Sequence, residues 1–187
     1  MGTTTIPAAA GYTPLAKWFH WITAALILAA LPTGFVIQFI SDKDDGVHKM
    51  AFYALHESLG LTILLVALAR LAWRLTHPAP LAPAGRALML QRLATGLHHA
   101  AYALLILQPV LGFLATNAWG FPLQGRTAYL GLIDLPKFMA AHEGLAGVLQ
   151  GLHSLGGWLL LVFVVLHLGA VVLHQAIRRD GTLLRMI

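Results

Sequence analysis

Four long apolar stretches, separated by short polar segments, dominate this chain of 187 residues. They cover about residues 18–40, 54–75, 98–119 and 153–177. Each stretch is close to the roughly 20 residues that an α-helix needs to cross about 30 Å of hydrocarbon. The pattern therefore predicts an all-α integral membrane protein, a four-helix bundle in which residues 1–187 form a single transmembrane domain.

The composition supports a lipid environment. Hydrophobic residues make up 58% of the chain and charged residues only 10%, whereas a soluble domain of this size has about 25% charged residues. The absence of cysteine excludes disulfides, iron–sulfur clusters and covalently attached c-type haem. The net charge of +5 is better explained by membrane topology than by nucleic acid, because the basic residues cluster at the ends of the apolar stretches.

The loops differ in charge, and this predicts the orientation. The segment 70–92 holds basic residues and no acidic one, and the C-terminal tail is also basic, whereas 41–50 is acidic on balance and 118–152 is nearly neutral. The positive-inside rule then places both termini and the 76–97 loop in the cytoplasm. Two apolar runs in the outward loop, 129–135 and 145–149, predict a short helix lying on the bilayer surface.

Histidines lie inside the apolar stretches, where an ionisable residue indicates function. His153 and His167 are fourteen residues apart on the fourth stretch, which is nearly four helical turns and about 21 Å. Their side chains therefore point to one face at two depths. His56 is expected at the depth of His153 and His20 at the depth of His167, which predicts one pair of imidazoles near each membrane surface.

Two imidazole pairs at two depths favour haem, because neutral imidazole is a good axial ligand for haem iron. Small residues one turn from each histidine predict room for the porphyrin; they are Ala24, Gly60, Gly156, Gly157 and Ala170. These residues could instead be close helix contacts. Alternatively, the histidines could form hydrogen bonds without binding a cofactor. A structural zinc site fits less well than haem, because zinc prefers four ligands at one depth.

Two arginines are candidate partners for the inner cofactor. Arg70 lies fourteen residues after His56 and therefore on the same face, and Arg74 follows one turn later. Either guanidinium could bind a haem propionate through charge-assisted hydrogen bonds. The alternative is that both side chains extend to the cytoplasmic surface of the membrane.

Further polar residues allow both functional and structural interpretations. His174 follows His167 by seven residues, which places it on the same face at the cytoplasmic interface. It could donate a hydrogen bond to a quinone or relay a proton, or be an interfacial histidine without such a role. On the outward side, Arg126 and Lys137 could pair with the propionates of an outer haem or attract an anionic substrate, although solvated loop charges are the simpler explanation. His98 and His99 begin the third stretch and could contact a cofactor or quinone.

Several segments together resemble the bacterial cytochrome b561 family. They are WFHW around His20, LHESLGLTILLVALARLAWRL over 55–75, YALLILQPVLG over 102–112, and the stretch from His153 through His167 and His174 to RDGTLLRM, which ends at Met186. The resemblance covers almost the whole chain. The combination is specific, although each segment alone is a weak signal.

The resemblance implies two b-type haems with four axial ligands, His20 pairing with His167 and His56 with His153. It also implies an electron carrier in the bacterial cytoplasmic (inner) membrane. A member of the family is a superoxide oxidase that passes electrons from superoxide to ubiquinone. One departure is Ser154, where relatives often carry glutamate. This weakens the case that the residue at this position transfers protons or interacts with a haem propionate.

Three functions are compatible with these features. The first is a di-haem cytochrome that moves electrons from an outward-facing donor, for example superoxide, to membrane quinone. The second is a cytochrome b subunit that docks a redox partner protein such as a dehydrogenase or hydrogenase. The third is a small transporter or metal-handling protein that uses the intramembrane histidines without redox chemistry.

Overall fold

The computed structural model describes residues 11–39, 46–80, 88–120 and 127–187. Four long helices account for most of this part of the chain: α1 Pro14–Phe39, α2 Gly46–Thr76, α3 Leu88–Trp119 and α4 Glu143–Val172. All four are long and apolar enough to cross a membrane. The prediction of an all-α membrane bundle is confirmed, and each helix begins four to ten residues before the apolar stretch that predicted it.

The helices pack in chain order, α1 on α2, α2 on α3 and α3 on α4. The central contact includes two small side chains, Ala30 and Ala67, which are buried together with Ile63 and Leu105. Small residues let helix backbones approach closely, which matters in lipid because apolar burial itself gives little driving force there. An edge-to-face contact between Phe35 and Trp158, with ring centres 4.8 Å apart, brings α1 against α4.

The α3–α4 connection corrects one prediction. Instead of a surface helix, residues 128–134 form a hairpin of two short antiparallel strands, β1 Ala128–Tyr129 and β2 Ile133–Asp134. Leu130 and Gly131 both have left-handed φ angles, 52° and 70°, so the chain reverses here instead of continuing as a helix. The second apolar run, 145–149, belongs to α4, which begins at Glu143.

Side chains cap two of the helices. The Thr13 hydroxyl accepts a hydrogen bond from Ala16 N (3.3 Å) at the start of α1. His142 Nδ1 accepts one from Leu145 N (3.1 Å) at the start of α4. Each cap satisfies a backbone donor that has no partner within the helix. His142 therefore has a local structural role.

The end of the chain binds to the start of α1. A π-helical turn (Leu173–Arg178) follows α4, and a 3₁₀ turn (Leu183–Arg185) comes after it. Beyond these, Trp21 Nε1 donates to the Met186 carbonyl (2.9 Å) and Lys17 Nζ to the Ile187 carbonyl (2.6 Å). Both ends of the described chain thus lie at one end of the bundle, as an even number of spans requires. We call this the inner end and the hairpin end the outer end.

Candidate functional site: two levels of paired histidines

The structure brings the four intramembrane histidines together in two pairs. His56 on α2 faces His153 on α4, with ring centres 6.0 Å apart and planes at 83°. His20 on α1 faces His167 on α4, also at 6.0 Å, with planes at 56°. These are the pairs that the spacing along α4 predicts. Because α4 is a regular α-helix through both histidines, the two levels are about 21 Å apart.

The same fourteen-residue interval occurs on all four helices, so each helix presents one residue at each level on one face. The outer level consists of Gly34, His56, Gly112 and His153. The inner level consists of His20, Arg70, His98 and His167. The two levels therefore have different chemistry: glycine accompanies the outer pair, whereas a guanidinium and a third imidazole accompany the inner pair.

Hydrogen bonds set the orientation of the outer imidazoles. His56 Nδ1 donates to the Ala30 carbonyl on α1 (3.0 Å), and His153 Nδ1 donates to the Gln108 carbonyl on α3 (3.0 Å). Since a carbonyl oxygen can only accept, the proton must be on Nδ1 in both rings. In a neutral imidazole the lone pair is then on Nε2, the state in which histidine binds a metal.

Two glycines hold the outer imidazoles by close contact. A Cβ at Gly34 would lie 2.9 Å from His56 Cε1, and a Cβ at Gly112 would lie 3.0 Å from His153 Cε1. Each glycine follows by four residues the carbonyl that accepts from that histidine, Ala30 on α1 and Gln108 on α3. One helical turn on each neighbouring helix therefore supplies both the acceptor and the space for the ring.

This finding corrects the prediction about small residues. The glycines on the ligands' own helices pack against α3 instead of flanking the pairs: Gly156 lies against the Gln108 side chain and Gly60 against Pro109. Gly60 and Gly156 are therefore close contacts between helices, which is the alternative that the sequence left open. The glycines that contact the imidazoles could have been found from the sequence, because Gly34 and Gly112 lie fourteen residues after His20 and His98.

The inner level is more polar and more open than the outer level. Arg70 and His98 interact electrostatically with both His20 and His167. The Arg70 guanidinium lies over the Tyr102 ring, 5.5 Å from its centre, a cation–π distance. A cavity of about 30 Å³ is lined by Arg70, His98, Ala101, Tyr102 and Leu105. A positive charge thus stands beside the inner pair.

Arg74 and His99 differ from these residues in position. Arg74 is exposed, and both Arg74 and His99 interact electrostatically with His98. The charged partners of His20 and His167 include Arg70 instead. The structure therefore separates the two arginines that the sequence treats alike. Arg70 stands with the inner histidines, and Arg74 lies one turn nearer the inner surface.

His174 lies in the π-helical turn after α4. Its Nδ1 pairs with Asp180 Oδ2 at 2.5 Å. Hydrogen bonds from Thr182 and His174 lower the pKa of Asp180 to about 2. The expectation that His174 continues the face of His167 assumed a regular α-helix, and the wider turn changes that angular relation.

The outward charges are only partly within the described residues. Arg126 lies outside them. Lys137 Nζ donates to the Gly120 carbonyl (3.2 Å) at the end of α3. Ser154, the departure from the family pattern, accepts a hydrogen bond from Gln150 Nε2 (3.4 Å). It therefore makes a contact within α4.

The spacing of each pair can be compared with metal ligation. A metal–imidazole nitrogen bond is about 2 Å, and in a ring with bonds near 1.33 Å the centre lies about 1.1 Å behind the nitrogen. Two imidazoles on opposite sides of one metal ion therefore have ring centres about 6 Å apart. Both pairs match this separation at 6.0 Å. At each level, the two imidazoles present could therefore bind a group whose metal is ligated by two histidines.

Four membrane-spanning helices with paired imidazoles between them define the architecture of a membrane-bound b-type cytochrome. The family model described as prokaryotic cytochrome b561 matches residues 11–187. The chain belongs to the prokaryotic cytochrome b561 family. It is therefore a multi-pass bacterial membrane protein of an electron-transfer family, and membership implies binding of b-type haem.

Two curated relatives match over nearly their full length. The chain is 28% identical over 176 residues to "Cytochrome b561 homolog 2" of Escherichia coli (strain K12), covering 94% of this chain and 90% of the relative. It is also 28% identical over 176 residues to "Probable superoxide oxidase CybB" of Yersinia pestis, covering 94% and 95%. The match thus includes both histidine levels.

Proposed function

We propose that the protein is a di-haem b-type cytochrome of the bacterial inner membrane that carries electrons from an outward-facing donor to membrane quinone. The observation that supports this most directly is the pair of imidazoles with ring centres 6.0 Å apart at each of two levels. Electron transfer across a bilayer needs redox centres near both surfaces, and the interval along α4 places the two sites about 21 Å apart.

In this proposal His56 and His153 hold the outer haem, and His20 and His167 hold the inner haem. Haem b supplies a one-electron Fe(III)/Fe(II) couple. Binding by two imidazoles would leave such a group no site for oxygen, which would favour electron transfer over oxygen binding. The chain orients the outer ligands through the carbonyls of α1 and α3, and Arg70 places a positive charge where an inner propionate would be stabilised.

Superoxide is the donor that we propose first. One matched relative carries the name "Probable superoxide oxidase CybB", and an anionic donor would be attracted by basic side chains in the outward loop, such as Lys137. Ubiquinone is the proposed acceptor at the inner end. There His174 is a candidate hydrogen-bond or proton donor. Both termini are then cytoplasmic.

A spectrum tests the haem proposal. Protein purified from haem-replete cells should show a reduced-minus-oxidised spectrum of b-type haem, with two haems per chain by pyridine haemochrome assay. A colourless protein, or one haem per chain, would contradict the di-haem proposal.

Stopped-flow mixing tests the donor. Superoxide should reduce the haems, and added ubiquinone should reoxidise them, with superoxide dismutase as the control that abolishes reduction. If superoxide leaves the haems oxidised while dithionite reduces them, the donor assignment is wrong. A stoichiometric redox partner after mild solubilisation would then favour the alternative of a subunit that docks a dehydrogenase or hydrogenase.

A further inference from the structure

Two hydroxyl side chains lie on the side of α2 that faces away from the bundle core. His56, Ile63 and Ala67 mark the core face, since the last two are 6% and 0% exposed. At 100° per residue, Ser58 is about 200° around the helix from His56, and Thr62 about 240°. Leu65, which follows Ser58 by seven residues on nearly the same line, is 52% exposed. This face of α2 is therefore the lipid-facing one.

The hairpin of the α3–α4 connection covers these two hydroxyls. Leu130 N donates to Ser58 Oγ (3.0 Å), and the Tyr129 hydroxyl pairs with Thr62 Oγ1 (3.1 Å). Ser58 is only 6% exposed as a result. The hairpin thus packs against the lipid-facing side of α2, and the two polar side chains on that side are explained by it.

The depth of these contacts follows from the length of the span. The hydrocarbon core needs about 20 helical residues, and counting outward from Arg70 or Arg74 reaches residue 50 or 54. Ser58 then lies at least four residues, about 6 Å, inside the outer boundary, and Thr62 about 12 Å inside. A loop bonded to both residues must itself enter the bilayer.

The hairpin has the features that such a position requires. Backbone groups in lipid need partners, and the N–H groups of Leu130, Gly131, Leu132 and Leu135 donate to Ser58 Oγ and to the carbonyls of Ala128, Tyr129 and Thr127. Three large apolar side chains point away from the protein, since Leu130, Leu132 and Ile133 are 60%, 83% and 60% exposed. Asp134, at the end of β2, is also exposed. In water, a surface patch of three large apolar side chains would be unfavourable and would promote aggregation.

We propose that residues 127–135 form a re-entrant hairpin in the outer leaflet, with Leu130, Leu132 and Ile133 in contact with lipid acyl chains. The occupant of this surface is lipid because the surface continues the lipid-facing side of α2 at a depth inside the span. Sequence alone does not show this, since the hairpin contributes too few apolar residues to be recognised as a membrane segment.

Spin labelling tests the proposal without background, because the chain contains no cysteine. Three single-cysteine variants are labelled with a nitroxide and reconstituted at one protein per nanodisc: Leu132→Cys in the hairpin, Leu65→Cys on the lipid-facing side of α2, and Ala140→Cys in the exposed segment after the hairpin. Dissolved oxygen collides preferentially with labels in lipid, and a water-soluble nickel chelate collides with labels in water.

The label at position 132 should match the label at position 65, with strong oxygen collisions and loss of nickel collisions, and the label at position 140 should do the reverse. Nickel access at position 132 equal to that at position 140 would overturn the proposal. Protection of position 132 from both reagents would also overturn it, because a protein neighbour would then cover the hairpin. Unchanged circular dichroism and a single gel-filtration peak show that each variant is folded.

Discussion

Gly112 and His153 are in direct contact, and a Cβ on Gly112 would lie 3.0 Å from the imidazole Cε1 and 3.2 Å from Nδ1. The same relation joins Gly34 to His56. Each outer imidazole is thus held between a glycine and the carbonyl four residues before it. Each ring can occupy its position because the neighbouring glycine has no Cβ.

Gly112→Ala should therefore displace the His153 ring and weaken the outer haem, while the inner haem is kept. Gly96→Ala is the matched control on the same helix, because nothing lies within 4 Å of its added Cβ. The control should be neutral or stabilising by up to about 1 kcal/mol, since alanine suits a helix better than glycine. Haem content and the low-temperature spectrum are the measurements. Identical spectra for the two variants would show that the glycine contact is unimportant.

The ligand pairs predict two classes of variant. His56→Ala or His153→Ala should lose the outer haem and keep much of the inner one, and His20→Ala or His167→Ala should do the reverse. His99→Ala, which changes an exposed histidine outside both pairs, should keep two haems. Redox titration of each variant separates the two haems by potential. If variants of one pair lose different haems, the pairing is wrong.

Arg70→Gln should lower the midpoint potential of the inner haem by tens of millivolts. The reason is that a positive charge close to the pair favours the reduced state, and about 59 mV corresponds to a tenfold change in the equilibrium of a one-electron couple. Arg74→Gln is the control, because Arg74 is exposed one turn away and should have a smaller effect. Equal shifts from both variants would indicate a general surface-charge effect instead of a contact with the inner haem.

Trp21 links the end of the chain to the inner pair. Its indole N–H donates to the Met186 carbonyl (2.9 Å), and its ring lies edge-on to His20 at 5.3 Å. Trp21→Phe keeps an aromatic ring but loses the hydrogen bond, so the expected cost is about 1 kcal/mol of stability, seen as earlier thermal release of the inner haem. The control is Trp18→Phe, which changes an indole on the same helix that is 66% exposed; it should leave the temperature of haem release unchanged. An equal fall of this temperature in both variants would argue against a link between the chain end and the inner pair.

Asp180 gives the tail a dependence on pH. Its pKa is lowered to about 2 by hydrogen bonds from Thr182 and His174, below the ordinary value near 3.9. A carboxylate with a lowered pKa stabilises the folded state fully above the ordinary value and loses that contribution as the pH falls through the lower one. Asp180→Asn should therefore unfold at a lower temperature than the unmodified chain at pH 6, and the difference should vanish near pH 2. A difference that stays constant over this range would contradict the assignment.

Much of the site could be predicted because an α-helix repeats regularly. The fourteen residues between His153 and His167 determine both their shared face and their separation once the segment is known to be helical. The same reasoning places Arg70 at the level of the inner pair. It does not decide between Arg70 and Arg74 as the partner of the inner pair, because both are near the same end of α2 and only the packing of the bundle places Arg70 where it interacts with His20 and His167.

The outer connection could not be predicted in the same way. The apolar run 129–135 is compatible with a surface helix, a strand or a turn, since short apolar runs do not have a distinctive period. Its actual course depends on two hydroxyls more than sixty residues earlier in the chain, Ser58 and Thr62, which pair with Leu130 N and the Tyr129 hydroxyl. On α2 alone these hydroxyls give no indication of what they bind.

The sequence by itself determined the number of spans, the face that each histidine occupies and the depth at which it lies, because hydrophobic length and helical period are local properties of the chain. Only the tertiary structure decided which carbonyls orient the imidazoles, which arginine accompanies the inner pair and where the hairpin packs. Those features depend on how neighbouring helices are rotated against one another, and this rotation results from side-chain packing across the whole bundle.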